Sequence, residues 1–157
     1  MYGVGQKFPS FSLNGVDSDN QIVSIDSESY SGWSVIYFYP KDLTPGCTVE
    51  SCNLRDNYNN LLKTGFDVVG VSADDEMKHL KFIDKHDLPF HLLADVDKKV
   101  INDYGVWGPK KFMGKVYEGI HRTTFIINES GMIEKVIKKV KTKEHTEQIL
   151  AEMKTSA

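Results

Sequence analysis

The run Trp33-Ser34-Val35-Ile36-Tyr37-Phe38-Tyr39 narrows the fold more than any other segment of the chain. A strand with one wet face alternates apolar and polar residues. This run does not alternate, so it is expected to be buried on both faces, as the middle strands of helix-covered sheets are. Pro40 ends it, because proline has no amide N–H to give to a sheet ladder. A second buried strand reads over Phe66-Asp67-Val68-Val69-Gly70-Val71. Between the two lies a predicted helix that runs to about Lys63, with Leu54, Tyr58, Leu61 and Leu62 as its inward stripe and Gly65 closing it.

The rest of the chain reads as short elements in alternation. Phe11 to Val23 alternates loosely around Asn14-Gly15, a hairpin-turn signal. Asp75 to His86 is predicted as an amphipathic helix with Met77, Leu80 and Ile83 inward. Phe90 to Leu93 reads as a short strand, Asp97 to Tyr104 as a short helix and Gly105 to Gly119 as a loop. Strands follow over Thr123 to Ile127 and Met132 to Val140, joined by a turn at Asn128 to Gly131. Ile149, Leu150 and Met153 mark a C-terminal helix. This order predicts an α/β fold: a mixed central β-sheet flanked by helices, parallel at its middle and antiparallel at one edge, with an N-terminal β-hairpin. A length of 157 residues suits one domain spanning 1–157.

Composition removes several classes. A formal net charge of -3 gives no basis for a nucleic-acid or anionic-membrane partner. No apolar run approaches the roughly 20 residues of a membrane span. Met1 to Lys7 lacks the basic and apolar regions of a signal peptide. The expectation is a cytoplasmic protein in a reducing setting, where two cysteines are more often catalytic or redox-active than a permanent staple.

Those two cysteines sit five residues apart in Thr44-Pro45-Gly46-Cys47-Thr48-Val49-Glu50-Ser51-Cys52. Thr44 suits an N-cap and Pro45 the first helical position, where a missing N–H is no loss. Cys47 then falls at the third helical position, among unpaired backbone N–H groups at the positive end of the helix dipole. A thiolate is stabilised there, and the thiolate is the reactive form. In a capping box that position holds a carboxylate; here the anion would be the nucleophile itself. Zinc is disfavoured: Cys-x4-Cys has no second pair, and His79, His86, His91, His121 and His145 show no matching spacing. The histidines read as surface or partly buried residues, with His121 next to Arg122. Trp107, Phe112 and Tyr117 read as packing, and Lys110-Lys111 and Lys138-Lys139 as solvated charges.

The segment from Pro40 to Cys47 resembles the peroxiredoxin signature Pro-x-x-x-Thr-x-x-Cys. Gly105-Val106-Trp107-Gly108, Phe112-Met113-Gly114-Lys115 and Gly119-Ile120-His121-Arg122-Thr123-Thr124-Phe125 resemble the bacterioferritin-comigratory, or peroxiredoxin Q, type, and the likeness runs from about Val4 to the C-terminal helix. The resemblance implies a thioredoxin-like fold and a peroxidase that needs no cofactor and no metal. It implies that Cys47 is the peroxidatic cysteine and Cys52 the resolving one. Thr44 would bond the thiolate and the substrate oxygen, Pro40 would pack over the nucleophile, and Arg122 would stabilise the developing charge with Glu50 helping to hold it. Hydroperoxides would be the substrates and a thioredoxin or glutaredoxin the reductant, with a monomer or weak dimer as the working unit.

On an ideal helix, five steps rotate by about 140° and put the Cα atoms roughly 8.6 Å apart. Disulfides need about 7 Å or less and converging Cβ vectors. A Cys47–Cys52 disulfide therefore requires the helix start to unwind. Two other readings of the residues remain open at this point: a thiol–disulfide oxidoreductase, disfavoured because the spacing is not Cys-x2-Cys, and a redox-sensing or holdase protein that uses the thiol as a switch.

Overall fold

The computed structural model describes residues 3–30 and 32–154. In chain order the elements are β1 (Ser12–Val16), β2 (Ile22–Asp26), β3 (Trp33–Phe38), α1 (Pro45–Asp56), α2 (Tyr58–Lys63), β4 (Phe66–Ser72), α3 (Glu76–His86), β5 (His91–Ala94), α4 (Lys99–Asp103), β6 (Trp107–Phe112), β7 (Lys115–Ile120), β8 (Thr123–Ile127), β9 (Ile133–Ile137) and α5 (His145–Lys154). Seven strands form one mixed sheet in the order β2-β1-β5-β4-β3-β8-β9. β3, β4 and β5 run parallel, while β8 and β9 on one side and β1 and β2 on the other run antiparallel. The predicted sheet had one antiparallel edge; the N-terminal hairpin supplies a second by joining β5 through β1.

The expectation for β3 holds. Val35, Tyr37 and Tyr39 belong to one core cluster with Leu54 of α1, Leu61 of α2, Phe82 of α3 and Ile149 of α5. Ile36 and Phe38 belong to the cluster on the other face, with Val100 and Ile101 of α4 and Phe125 of β8. Each fully buried side chain of this size contributes about 1.5–3 kcal/mol of apolar burial.

Several local expectations are corrected. Asn14-Gly15 lies inside β1 and is not a turn. Gly15 is required there by close approach, because a Cβ would sit 2.5 Å from the Leu92 carbonyl oxygen. The turn is Asp17 to Gln21, where the Asp17 carboxylate accepts from the Asp19 and Gln21 amides. The single helix expected up to Lys63 breaks at Asn57, whose side chain donates to the Asn53 carbonyl, so α1 and α2 are separate. Leu62 and Met77 are exposed, not inward. The buried face of α3 is His79, Phe82 and Ile83. Gly105 to Gly119, expected as a loop, contains the β6–β7 hairpin, closed by Met113 and Gly114 at φ 52 and 80. That pair of left-handed residues suits a two-residue hairpin turn, but methionine gives no sequence signal for it. Tyr117 is exposed on this hairpin, while Trp107 packs against the core. The side chains of Phe112 and Met153 lie outside the described residues.

α1 is tied to the start of α5 through Asn53. Its Nδ2 donates to the Lys143 carbonyl at 2.9 Å, and its Oδ1 accepts from the Thr146 amide and hydroxyl, both at 2.8 Å.

Candidate active site

The site is built where β3 hands over to α1. Tyr39 still bonds β4, its amide donating to the Val71 carbonyl at 3.1 Å. Pro40 then ends the strand, half-buried. In the loop that follows, Leu43 sits in the left-handed region at φ 64, a conformation that costs a non-glycine residue on the order of 1–2 kcal/mol. Asp42, beside it, holds the loop against this strain. The Asp42 carboxylate accepts from the Tyr39 hydroxyl and from His79 Nδ1, both at 2.5 Å, and its amide donates to the Asp74 carboxylate at 2.8 Å.

Thr44 takes the N-cap position with extended backbone, and Pro45 the first helical position. The capping bond expected of the Thr44 side chain is absent; its hydroxyl donates to the Lys41 carbonyl at 2.8 Å. Cys47, Glu50, Ser51 and Leu54 are the buried residues of α1. Their i, i+3, i+4, i+7 spacing puts them on one face. Leu54 anchors that face in the core, and Ser51 meets the Tyr37 hydroxyl at 2.9 Å.

Cys47 is 1% exposed. Arg122, just before β8, donates through Nη2 to Cys47 Sγ at 3.4 Å and through Nη1 to Glu50 Oε1 at 2.5 Å. Gly46 leaves room for the guanidinium: a Cβ there would lie 3.3 Å from Arg122 Nη2. Glu50 is fully buried, and burial pushes its carboxyl up to about 7 against the opposing pull of Arg122. Its other oxygen has no hydrogen-bond partner and lies 3.5 Å from His145 Nε2.

Cys52 lies on the same helix, half-buried, with its sulfur 3.8 Å from His86 Nδ1. Burial raises its thiol, which the nearby Arg55 only partly offsets. The two thiols are free, and the helix between them is unbroken.

Cys47, Thr44, Pro40, Glu50 and Arg122, which the sequence singled out, thus gather around one helix start. The histidines do not behave as expected: His79 and His145 are fully buried and polar-bonded. His79 was open to recognition, since it shares a helix face with Phe82 and Ile83 at the i, i+3, i+4 spacing. Lys110 is half-buried and not a solvated charge. Among the described residues no group of three or more His, Cys, Asp or Glu side chains is placed to hold a metal ion, and no helix is long and apolar enough to cross a membrane.

The family model described as AhpC/TSA matches residues 4–136. The chain belongs to this family. It is 46% identical over 154 residues to peroxiredoxin Bcp of Escherichia coli K12, covering 98% of this chain and 96% of that one. It is 41% identical over 152 residues to peroxiredoxin Bcp of Bacillus subtilis, covering 96% and 94%. Among solved structures it is similar to a cysteine-to-serine mutant of Xylella fastidiosa PrxQ, with a TM-score of 0.88 and 26% identity over 99% of this chain and 98% of that one. It is also similar to the bacterioferritin comigratory protein of Xanthomonas campestris, studied for its alkyl peroxide reduction activity, with a TM-score of 0.81 and 32% identity over 92% and 91%. The thioredoxin-like fold expected from the motif is the fold of these neighbours.

Proposed function

We propose that this thiol-dependent peroxidase uses Cys47 as its peroxidatic nucleophile and Cys52 as its resolving thiol. The observation that carries the reading is the Arg122 guanidinium bonded to a sulfur that is 1% exposed and sits three residues into a helix. The Cys47 thiolate attacks the distal oxygen of a hydroperoxide. An S–O bond forms, the O–O bond breaks, and the alkoxide or hydroxide that leaves takes up a proton. Sulfur is oxidised by two electrons to the sulfenic acid while the peroxide is reduced. Arg122 and the unpaired amides of the first turn of α1 face the charge that moves from sulfur to oxygen, and they are in place before it moves.

The Thr44 hydroxyl has its proton committed to the Lys41 carbonyl, so toward a hydroperoxide it acts as an acceptor. Pro40 covers the loop with a residue that offers water no amide donor. Glu50 accepts from one Arg122 nitrogen while the other donates to Cys47, and so holds the guanidinium against the sulfur.

The Cys52 thiolate then attacks the sulfenic sulfur, forming the disulfide and releasing water once the departing hydroxide is protonated. A thioredoxin or glutaredoxin dithiol returns both cysteines to the thiol. All of this takes place within one chain of one domain, so a monomer or weak dimer suffices, acting in the cytoplasm without a metal or organic cofactor. Direct thiol exchange on protein disulfides is disfavoured, because a sulfur 1% exposed cannot reach one on a folded partner.

The test is a coupled peroxidase assay with thioredoxin and with glutaredoxin. Cys47→Ser should abolish turnover, and near wild-type turnover in that variant overturns the assignment. Cys52→Ser should consume peroxide once and lose coupled cycling. Oxidised wild type should run at monomer mass on a non-reducing gel.

A further inference from the structure

A cleft of about 420 Å³ opens on Arg122, whose guanidinium donates to Cys47, and is lined by Lys110, His121, Arg122, Thr123, Lys138 and Lys139 together with Val140. Every charged side chain on its wall is a cation. The carboxylate that touches Arg122, Glu50, is buried behind the guanidinium and does not line the cleft.

Lys110 is held in this cleft by the hairpin it stands on. Its ammonium donates to the Ile120 carbonyl at 2.9 Å, two residues before Arg122. Its stem runs across Gly119, where a Cβ would come within 3.0 Å of Lys110 Cδ. Gly108, the cross-strand partner of Gly119, clears room for His121 in the same way, with a Cβ there 3.3 Å from His121 Nε2. Two glycines facing each other on β6 and β7 thus let two basic side chains lie toward the cleft. Burial lowers the Lys110 ammonium, Arg122 lowers it further and Cys47 raises it, which puts Lys110 in the same electrostatic neighbourhood as the reacting sulfur. An ammonium has three donors, and one is used on Ile120. Lys138 and Lys139, exposed after β9, complete the wall.

We propose that this cleft is an anion-reading subsite, with Lys110 held at one side and the exposed Lys138 and Lys139 at the other, so that the enzyme favours hydroperoxides whose carboxylate can reach the cleft while the O–O group lies at Cys47 over neutral hydroperoxides of the same shape. The proposal rests on Cys47 being the peroxidatic sulfur. Its chemistry adds nothing to the peroxide step. The carboxylate binds in the cleft while the O–O group lies at Cys47, and binding energy away from the reacting atoms orients the peroxide for attack.

The experiment measures the rate of sulfenic acid formation, without any reductant, for para-carboxylated cumene hydroperoxide and for its methyl ester. The wild type should react faster with the carboxylate, and the ratio should shrink as salt rises. The double variant Lys138→Gln/Lys139→Gln should lower that ratio by roughly two- to fivefold, the range set by exposed charge pairs, while leaving the ester rate unchanged. Lys110→Gln should lower the ratio by a similar factor and, because Lys110 also acts on Cys47, slow the reaction with both peroxides to some extent. Lys138 and Lys139 are exposed, so their replacement leaves the fold intact. A wild-type ratio near one overturns the proposal, as does a loss that is equal for the two peroxides. Variants that slow only the thioredoxin-coupled step also overturn it, and assign the cations to the reductant. If neither peroxide reacts with wild type while Cys47 is reduced, the peroxidase reading falls, and this one with it.

Discussion

Two buried carboxylate–histidine pairs flank the cysteine helix, and they end in opposite charge states. At Asp42–His79, Nδ1 faces the Asp42 carboxylate at 2.5 Å and Nε2 faces the Leu93 carbonyl at 2.8 Å. Two acceptors require two N–H donors, which only the imidazolium has. Burial works against that charge, but Asp42, the Leu93 carbonyl and Asp74 overcome it and leave His79 raised. At Glu50–His145, Nδ1 gives its proton to Gln148 Oε1 at 3.1 Å and Nε2 accepts from the Thr124 hydroxyl at 2.8 Å. That is a neutral ring with both nitrogens satisfied, and burial drives His145 down to about 4. The difference lies in the third partner. Glu50 already has a cation in Arg122, which leaves no carboxylate charge for a second one; Asp42 has none but His79. Proximity of a carboxylate does not by itself charge a histidine.

The largest expected effect comes from breaking the first pair. Asp42→Ala would strand a buried imidazolium and release the strained loop at Leu43, costing about 3–5 kcal/mol in denaturant unfolding. A loss under 1 kcal/mol would mean the pair is not charged. Arg122→Ala should lower the rate of reaction with peroxide by a factor on the order of 10² to 10³ with the fold retained, as loss of a preorganised charge-stabilising donor does. An unchanged rate constant by stopped flow would remove Arg122 from the site.

The pairs should also respond to pH with opposite slopes. His79 is raised, so its stabilisation is complete below the ordinary histidine value near 6.5 and fades as pH climbs through its folded value. His145 is lowered, so its contribution holds above about 6.5 and fades as pH falls toward about 4. The stability gap between wild type and His79→Gln should therefore narrow with rising pH, and that for His145→Gln with falling pH. Parallel gaps would erase the contrast.

The smallest effect concerns Glu50. Its carboxyl titrates near 7, and Gln copies its protonated form. Wild type and Glu50→Gln should react with peroxide at similar rates below that pH. Above it, wild type should be a few-fold faster, because an ionised Glu50 holds Arg122 by a charge-assisted bond. Profiles that run parallel throughout would show that Glu50 does not tune the guanidinium.

The central strands and the reactive helix start were legible because their signals are local: an unbroken apolar run, a Thr-Pro start and a cysteine three residues in. The place of Arg122 beside Cys47 became legible only through its motif, since nothing around it at the start of β8 marks it out. The Asp42–His79 pair joins residues 37 positions apart, and no local pattern announces such a bond. Asn14-Gly15 misled for the converse reason. A glycine demanded by the Leu92 carbonyl looks the same in a sequence as one demanded by a turn. The β6–β7 hairpin stayed hidden because its turn begins at Met113, a residue with no preference for positive φ.

The Asn53 anchor has a mechanical consequence. A rope pegged partway along can go slack only on its free side, and α1 is pegged at the residue directly after Cys52. The length that can be paid out runs from Pro45 to Cys52, which is the stretch that joins the two sulfurs. In the disulfide form, amides of that stretch should exchange rapidly with solvent while Tyr58 to Leu62 stay protected. If Cys47 and Cys52 pair as proposed, the peg confines the rearrangement to the eight residues Pro45 to Cys52; Glu50 moves with them and leaves His145, while α5 and α2 keep their places.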